Sequence, residues 1–221
     1  MPADGPMLTD TRDMIAVHDA FKRALGDAPS QLASVRNGDI ERAWYFADYL
    51  GEVLRLLHAH QVGEDELLYP LLSQRAPEAQ DLFSRMKAQH AAMLSSLDAA
   101  EHATERFGSS GSVTDGQALS SVCEWLRETL VEHLDAEEKD VLPIAARCLS
   151  APEWGALPEL PLSPYRGTRV WLAFGLVLEA MPDEVREYVL ASVPPSVSGT
   201  WLGGESNTFA REMALIRAGG V

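Results

Sequence analysis

The residues of this chain best suited to chemistry are four histidines and two glutamates. His60 is followed by Glu64 and Pro70, and His133 by Glu137 and Pro143. The offsets agree in both stretches, four residues to the glutamate and ten to the proline. Two further histidines stand upstream, His18 in "VHDAFKRAL" and His90 in "QHAAMLSSL". Neutral imidazoles and ionised carboxylates are ligands for divalent cations. A spacing of four stacks His and Glu about 6 Å apart on one face of an α-helix.

The pattern is a duplication. His60, Glu64 and Pro70 recur as His133, Glu137 and Pro143, each shifted by 73 positions. His18 recurs as His90, with Met14 and Leu25 recurring as Met86 and Leu97, each shifted by 72. Such a period is too long for an ordinary solenoid unit and corresponds to a helix pair.

Apolar periodicity predicts the elements that position these residues. Four long helices are expected over residues 9–26, 39–74, 78–107 and 115–149. Asp39 is a candidate cap, and Gly63, Pro70 and Pro143 are candidate kinks. Little in the chain suggests strands. The expected fold is all-α, an antiparallel up-down four-helix bundle with a helical C-terminal extension. Positions three and four apart share a helix face. The four faces then read Met14, His18, Phe21, Leu25; Val53, Leu57, His60, Glu64, Leu67, Leu71; Phe83, Met86, His90, Met93, Leu97; and Leu126, Leu130, His133, Glu137, Val141, Ile144. Each apolar stripe carries polar groups at its middle. Buried unpaired imidazoles and carboxylates are costly, and divalent metal settles all six at once. Two His–Glu pairs with two more histidines can hold two metals with both carboxylates bridging. Mixed nitrogen and oxygen ligation suits a pair of irons, with manganese or zinc as the alternatives.

The lone His, the His-x-x-x-Glu segment with its proline, and their repetition resemble the hemerythrin-like (HHE cation-binding) domain, bacterial type, over roughly residues 9–149. The resemblance implies a bundle with a non-haem di-iron site that reacts with dioxygen or related small oxidants. Carried over by position, the metal ligands are His18, His60, Glu64, His90, His133 and Glu137, with an oxo or hydroxo bridge between two irons. The oxygen-carrying members of the family have a fifth histidine one turn after the third-helix ligand, where this chain has Leu94. Two six-coordinate irons need roughly twelve positions. Four imidazoles, two bridging carboxylates and one bridging oxygen leave two open, which favours water, peroxide or a substrate atom as a further ligand.

Other side chains receive plainer readings. His58 is turned by about 200° from His60 and is expected at the surface or behind the ligands. His102 is expected in solvent, and Asp65, Glu66 and Glu138 form an exposed acidic flank. Trp44, Tyr45 and Trp125 are expected in the core, with Tyr45 as a candidate hydrogen-bond donor near the site. Met14, Met86 and Met93 are expected to line a dry pocket. Cys123 and Cys148 lack zinc-type spacing and read as small apolar residues.

Acids outnumber bases by 33 to 18, a formal charge of −15, which argues against nucleic acid or anionic membrane as partner. No signal pattern or membrane-length apolar run is present, and the two cysteines fit a reducing cytoplasm. Two domains are expected: residues 1–149 as the di-iron bundle, and residues 150–221 as a proline-rich linker with a helical extension. The extension is predicted to hold helices over 166–180, 182–192 and 205–217. It is expected to pack on the bundle, there capping one end or contributing to a homodimer, an independent ligand-binding unit being the alternative. Three functions compete. The first is binding or sensing of dioxygen, nitric oxide or peroxide. The second is a di-iron oxidase, oxygenase or peroxide-consuming enzyme acting on a small organic substrate. The third is a plain bundle whose polar stripe is satisfied by hydrogen bonds.

Overall fold

A computed structural model describes residues 8–157, 168–193 and 195–218, and among these no strand occurs. The long helices are α1 (Arg12–Ala33), α2 (Ile40–Gly63), α4 (Gln80–Ser110) and α5 (Val113–Asp140). A π turn over Glu64–Leu68 joins α2 to a short α3 (Tyr69–Arg75), and α6 (Leu142–Cys148) follows α5 after a break at Val141. The long helices pack in a closed ring, α1 on α2, α2 on α4, α4 on α5 and α5 on α1.

The helix ends follow local chemistry. Asp39 caps α2 by accepting from the Arg42 amide at 3.0 Å. Ser112 caps α5 by accepting from the Asp115 amide at 3.1 Å. Gly111 between α4 and α5 takes the left-handed conformation, φ 58°, and its amide bonds Phe107 O at 2.8 Å. The link expected between residues 107 and 115 therefore shrinks to Gly111 and Ser112. Helix α1 starts at Arg12, not at residue 9, and continues past Gly26 through Pro29 to Ala33. Ala28 and Leu32 prolong its buried stripe, and their burial outweighs the weak helix preferences of glycine and proline.

Trp44, Tyr45 and Trp125 are not core residues; they are 54%, 43% and 54% exposed. In the α2–α4 seam the buried rings are Phe46 and Phe107, with centroids 6.4 Å apart, and beside them the seam closes on small residues. A Cβ on Gly108 would stand 2.7 Å from Ala47 Cβ, so these two helices approach too closely there for an aromatic ring.

The segment after Ser150 is partly helical rather than extended. Helix α7 (Ala151–Ala156) opens with a capping box between Ser150 and Glu153. Glu153 also receives Arg75, which bonds Cys148 O as well. The remainder of the expected linker, residues 158–167, lies outside the described residues. Then come α8 (Thr168–Ala180), α9 (Asp183–Ser192), α10 (Pro195–Thr200), a second π turn over Trp201–Glu205, and α11 (Ser206–Arg217). The sequence expected to separate the last two helices thus forms α10 and the wide turn. Helix α8 packs on α1 and α2, and α11 packs on α8 and α2. Leu172, Leu176, Trp201, Phe209 and Met213 share one apolar cluster with Phe21, Leu25, Leu50 and Leu54 of the bundle. Gly175 permits this docking, because a Cβ there would lie 2.4 Å from the Phe209 ring.

The bundle interior holds two apolar clusters rather than one. Phe21, Leu57, Met93 and Leu130 belong to the larger. Leu68, Tyr69, Met86 and Val141, with Met14 against them, belong to the smaller, which Trp154 joins. On every long helix the candidate ligands fall between residues of the two.

Candidate metal centre

His18 comes from α1, His60 from the last turn of α2, Glu64 from the start of the π turn, His90 from α4, and His133 and Glu137 from α5. The structure brings all six together. Five are fully buried, and the His60 side chain keeps only slight exposure. His18, His60, Glu64 and Glu137 each offer a ligand atom within 4.8 Å of one another, and so do Glu64, His90 and His133. Glu64 belongs to both groups. Its Oε1 lies 3.0 Å from His60 Nε2, and its Oε2 lies 3.4 Å from His90 Nε2. Glu137 Oε2 stands 3.6 Å from His18 Nε2 and 3.8 Å from His133 Nε2.

The hydrogen bonds on the outer side of each ring determine what faces inward. His18 Nδ1 lies 3.0 Å from Glu138 Oε1, and His90 Nδ1 lies 3.0 Å from Asp65 Oδ1. His133 Nδ1 lies 3.0 Å from Gln89 Oε1. Each of these partners is an acceptor, so each Nδ1 donates, and a ring protonated there alone presents a bare lone pair at Nε2. His90 Nε2 and His133 Nε2 then face each other at 2.9 Å, lone pair to lone pair. Among the described residues, His18 Nε2, His60 Nε2, both Glu64 oxygens and Glu137 Oε2 have no hydrogen-bond partner. The 3.0 Å approach of His60 to Glu64 is close but not aligned as a hydrogen bond. Such a convergence of electron-pair donors is unfavourable by itself and fits a positive ion between them. The plain bundle with a hydrogen-bonded polar stripe does not describe this interior.

The titration behaviour points the same way. Burial, then the neighbouring histidines, pushes the His60 pKa well below its ordinary value. The same causes bring His133 down to about 3. Burial, then the Glu137 carboxyl, pushes Glu64 well above the carboxylate range. The neutral forms are thus favoured until a cation offsets the charge.

Asp65 and Glu138 are not an exposed flank, although Glu66 is exposed as expected. They are one another's counterparts under the 73-residue shift, and each grips the lone histidine of the opposite half. The Glu138 pKa is lowered, chiefly by its bond to His18, and Lys22 Nζ reaches the same Oε1 at 2.9 Å. Carboxylates behind metal-ligating imidazoles fix ring orientation and raise basicity. Asp65→Ala and Glu138→Ala are each expected to weaken metal binding about 10–100-fold, read by competition with a coloured chelator. An unchanged affinity would show that neither carboxylate acts through its ring.

Tyr69 was not legible as a site residue; Tyr45, expected near the site, is on the surface. Tyr69 is buried, donates to Glu137 Oε1 at 3.0 Å and stacks on His90 at 5.8 Å between ring centroids. In a regular α-helix, residues five apart point about 140° away from each other. The π turn, with the Tyr69 amide bonded to Glu64 O, returns Tyr69 to the face of Glu64. Pro70 was the signal available in the sequence, since a proline ring disturbs the helical turn before it. The same turn makes Leu68 and Leu72 the buried residues, leaving Leu67 and Leu71 half-buried. Gln61 was also missed. It is buried, its Nε2 meets Met93 Sδ at 3.9 Å, and its Oε1 is among the unpartnered atoms.

The remaining expectations hold at the level of burial. His58 and His102 are exposed, Met86 and Met93 are buried, and Met14 is partly so. Both cysteines are free, Cys123 buried and Cys148 half-buried. Leu94 is 44% exposed, outside the stripe formed by His90, Met93 and Leu97. No helix among the described residues is long and apolar enough to cross a membrane.

Comparison with curated proteins gave no match, and comparison with solved structures gave none. The family comparison did. Residues 9–145 match the model for the hemerythrin HHE cation-binding domain, a span that holds all six inward-facing groups and more than half of the sequence. With this all-α bundle and its His and Glu cluster, the chain belongs to the hemerythrin HHE cation-binding family, whose domain binds metal, typically iron.

Proposed function

We propose that the chain is a non-haem di-iron protein that binds or reacts with dioxygen or a related small oxidant such as nitric oxide or peroxide. One observation carries this reading: the six donors form two groups that share Glu64, one carboxylate oxygen toward each. His18, His60, Glu64 and Glu137 would hold one iron, and Glu64, His90 and His133 the other. An iron pair with an oxo or hydroxo bridge supplies reversible electron exchange with a small oxidant. The protein residues supply the setting. Glu138 and Asp65 keep the imidazoles turned inward, and Tyr69 holds Glu137. Phe21, Met86 and Met93 are buried on either side of the donors and favour a dry interior. In this reading residues 1–149 carry the chemistry and the helices after residue 150 brace the bundle.

Anaerobic loading with ferrous iron, then exposure to air, tests the proposal. Two irons per chain are expected, with a near-ultraviolet absorption band that is absent from His60→Ala and His133→Ala. One iron or none per chain would end the di-iron reading. Following hydrogen peroxide loss in the same samples then separates an enzyme from a binding protein.

A further inference from the structure

The duplication that builds the bundle is broken at a position whose side chain touches the donors directly. Under the 73-residue shift, Asp65 recurs as Glu138, but Tyr69 recurs as Leu142. The second half therefore has no phenol to match Tyr69. Tyr69 donates to Glu137 Oε1 at 3.0 Å, leaving Oε2 as the oxygen that faces the histidines. The equivalent Glu64 has no such tether, and its two oxygens face His60 and His90 separately.

Geometry alone barely commits Glu137 to either side. Its Oε2 is 3.6 Å from His18 Nε2 and 3.8 Å from His133 Nε2. A carboxylate free to rotate could present one oxygen to each side, as Glu64 does. Tyr69 withholds that freedom by occupying Oε1. The donor sets are accordingly unequal, two carboxylates and two imidazoles around His18 and His60, but one carboxylate and two imidazoles around His90 and His133. More carboxylate charge and a pre-oriented ligand both raise affinity for a hard divalent cation.

We propose that Tyr69 is a positioning residue that makes the two metal positions inequivalent: by tethering Glu137 it directs the first ion to the His18–His60 position and leaves the His90–His133 position weaker and more open to an added ligand. This inference rests on the two-metal reading above. It locates the open coordination in the half supplied by α4 and α5, and assigns the asymmetry to one hydroxyl.

Titration of the metal-free full chain with cobalt(II), followed by calorimetry and visible absorption without oxygen, tests it. The wild-type chain takes up two equivalents in two steps separated by at least about tenfold, the worth of one hydrogen bond to a charged group. His133→Ala loses the weaker step and keeps the stronger, and His18→Ala loses the stronger. Tyr69→Phe, which removes only the hydroxyl, still takes up two equivalents, with the steps merged to within about threefold. Two equivalents in one unresolved wild-type step, or unchanged separation in Tyr69→Phe, would overturn the role of Tyr69 and leave the two-metal reading standing. Wild-type uptake of one equivalent or none would overturn that reading as well. If circular dichroism shows Tyr69→Phe unfolded, the histidine variants decide, and retention of the stronger step in His18→Ala overturns the assignment.

Discussion

Glu64→Ala is expected to strip both metal ions from the chain, whereas His90→Ala or His133→Ala removes about one. Glu64 is the residue common to both donor groups, and its two oxygens point to different histidines. Removing it leaves His18, His60 and Glu137 on one side and two imidazoles facing each other on the other. It also takes away half of the buried carboxylate charge that balances the cations. Metal content measured on protein purified identically should fall below about a tenth of wild type, in line with tenfold losses per lost ligand interaction. The folded chain should persist. A buried carboxyl that is costly without metal is being replaced by an apolar side chain, so the metal-free variant should melt no lower than metal-free wild type. Retention of one full equivalent by Glu64→Ala would refute its bridging place.

The second large effect is on stability. Ligand that binds only the folded state adds about 4 kcal/mol per site at a free concentration a thousandfold above its dissociation constant. Two sites then contribute about 8 kcal/mol, and a chain of this size gains about 2–4 °C per kcal/mol. Ferrous or cobalt loading should raise the melting temperature by about 15–30 °C, reversed by a chelator. The increment depends on pH with a defined sign. His60 and His133 have folded pKa values below the ordinary 6.5, so the unfolded chain binds more protons there. Their contribution is complete above pH 6.5 and is lost as pH falls toward about 3, the folded value of His133. Each such histidine costs about 1.4 kcal/mol per pH unit while it titrates. Glu64 acts oppositely, because its folded pKa is raised above 4.5 and its contribution is lost as pH rises through the folded value. Above pH 6.5 the two histidines add no slope, and any slope from Glu64 is downward. Metal-free melts should therefore drop steeply below pH 6.5. The gain on metal loading should grow from pH 5 to 8, since protons compete for the same lone pairs. A gain that is constant across that range would show that metal does not displace protons from these groups.

Much of this molecule could be read from the chain itself. The 3.6-residue period places His18, His60, His90 and His133 on the inner faces of helices whatever those helices pack against. The repeated offsets show two equivalent halves. Caps and breaks such as Asp39, Gly111 and Pro143 are local chemistry, and the structure places them at helix ends. Local rules misplaced what depends on neighbours. Trp44 and Trp125 satisfy any hydrophobic scale, yet both are exposed; on α2 the ring that meets α4 is Phe46, packed against Phe107, while the next contact, Ala47 on Gly108, is too close for a ring. Helix α1 outruns its glycine and proline because Ala28 and Leu32 find core to cover.

The six inward groups and their helical scaffold are properties of the sequence, because a helix fixes which side chains share a face from spacing alone. The partners of those groups are not. Glu138 reaches His18 across 120 positions, Asp65 reaches His90 across 25, and Tyr69 reaches Glu137 across 68. Nothing in a helical period says which side chain on another rod will meet a given one. That is decided only when four packed helices, and a widened turn before Pro70, set the distances between atoms far apart in the chain.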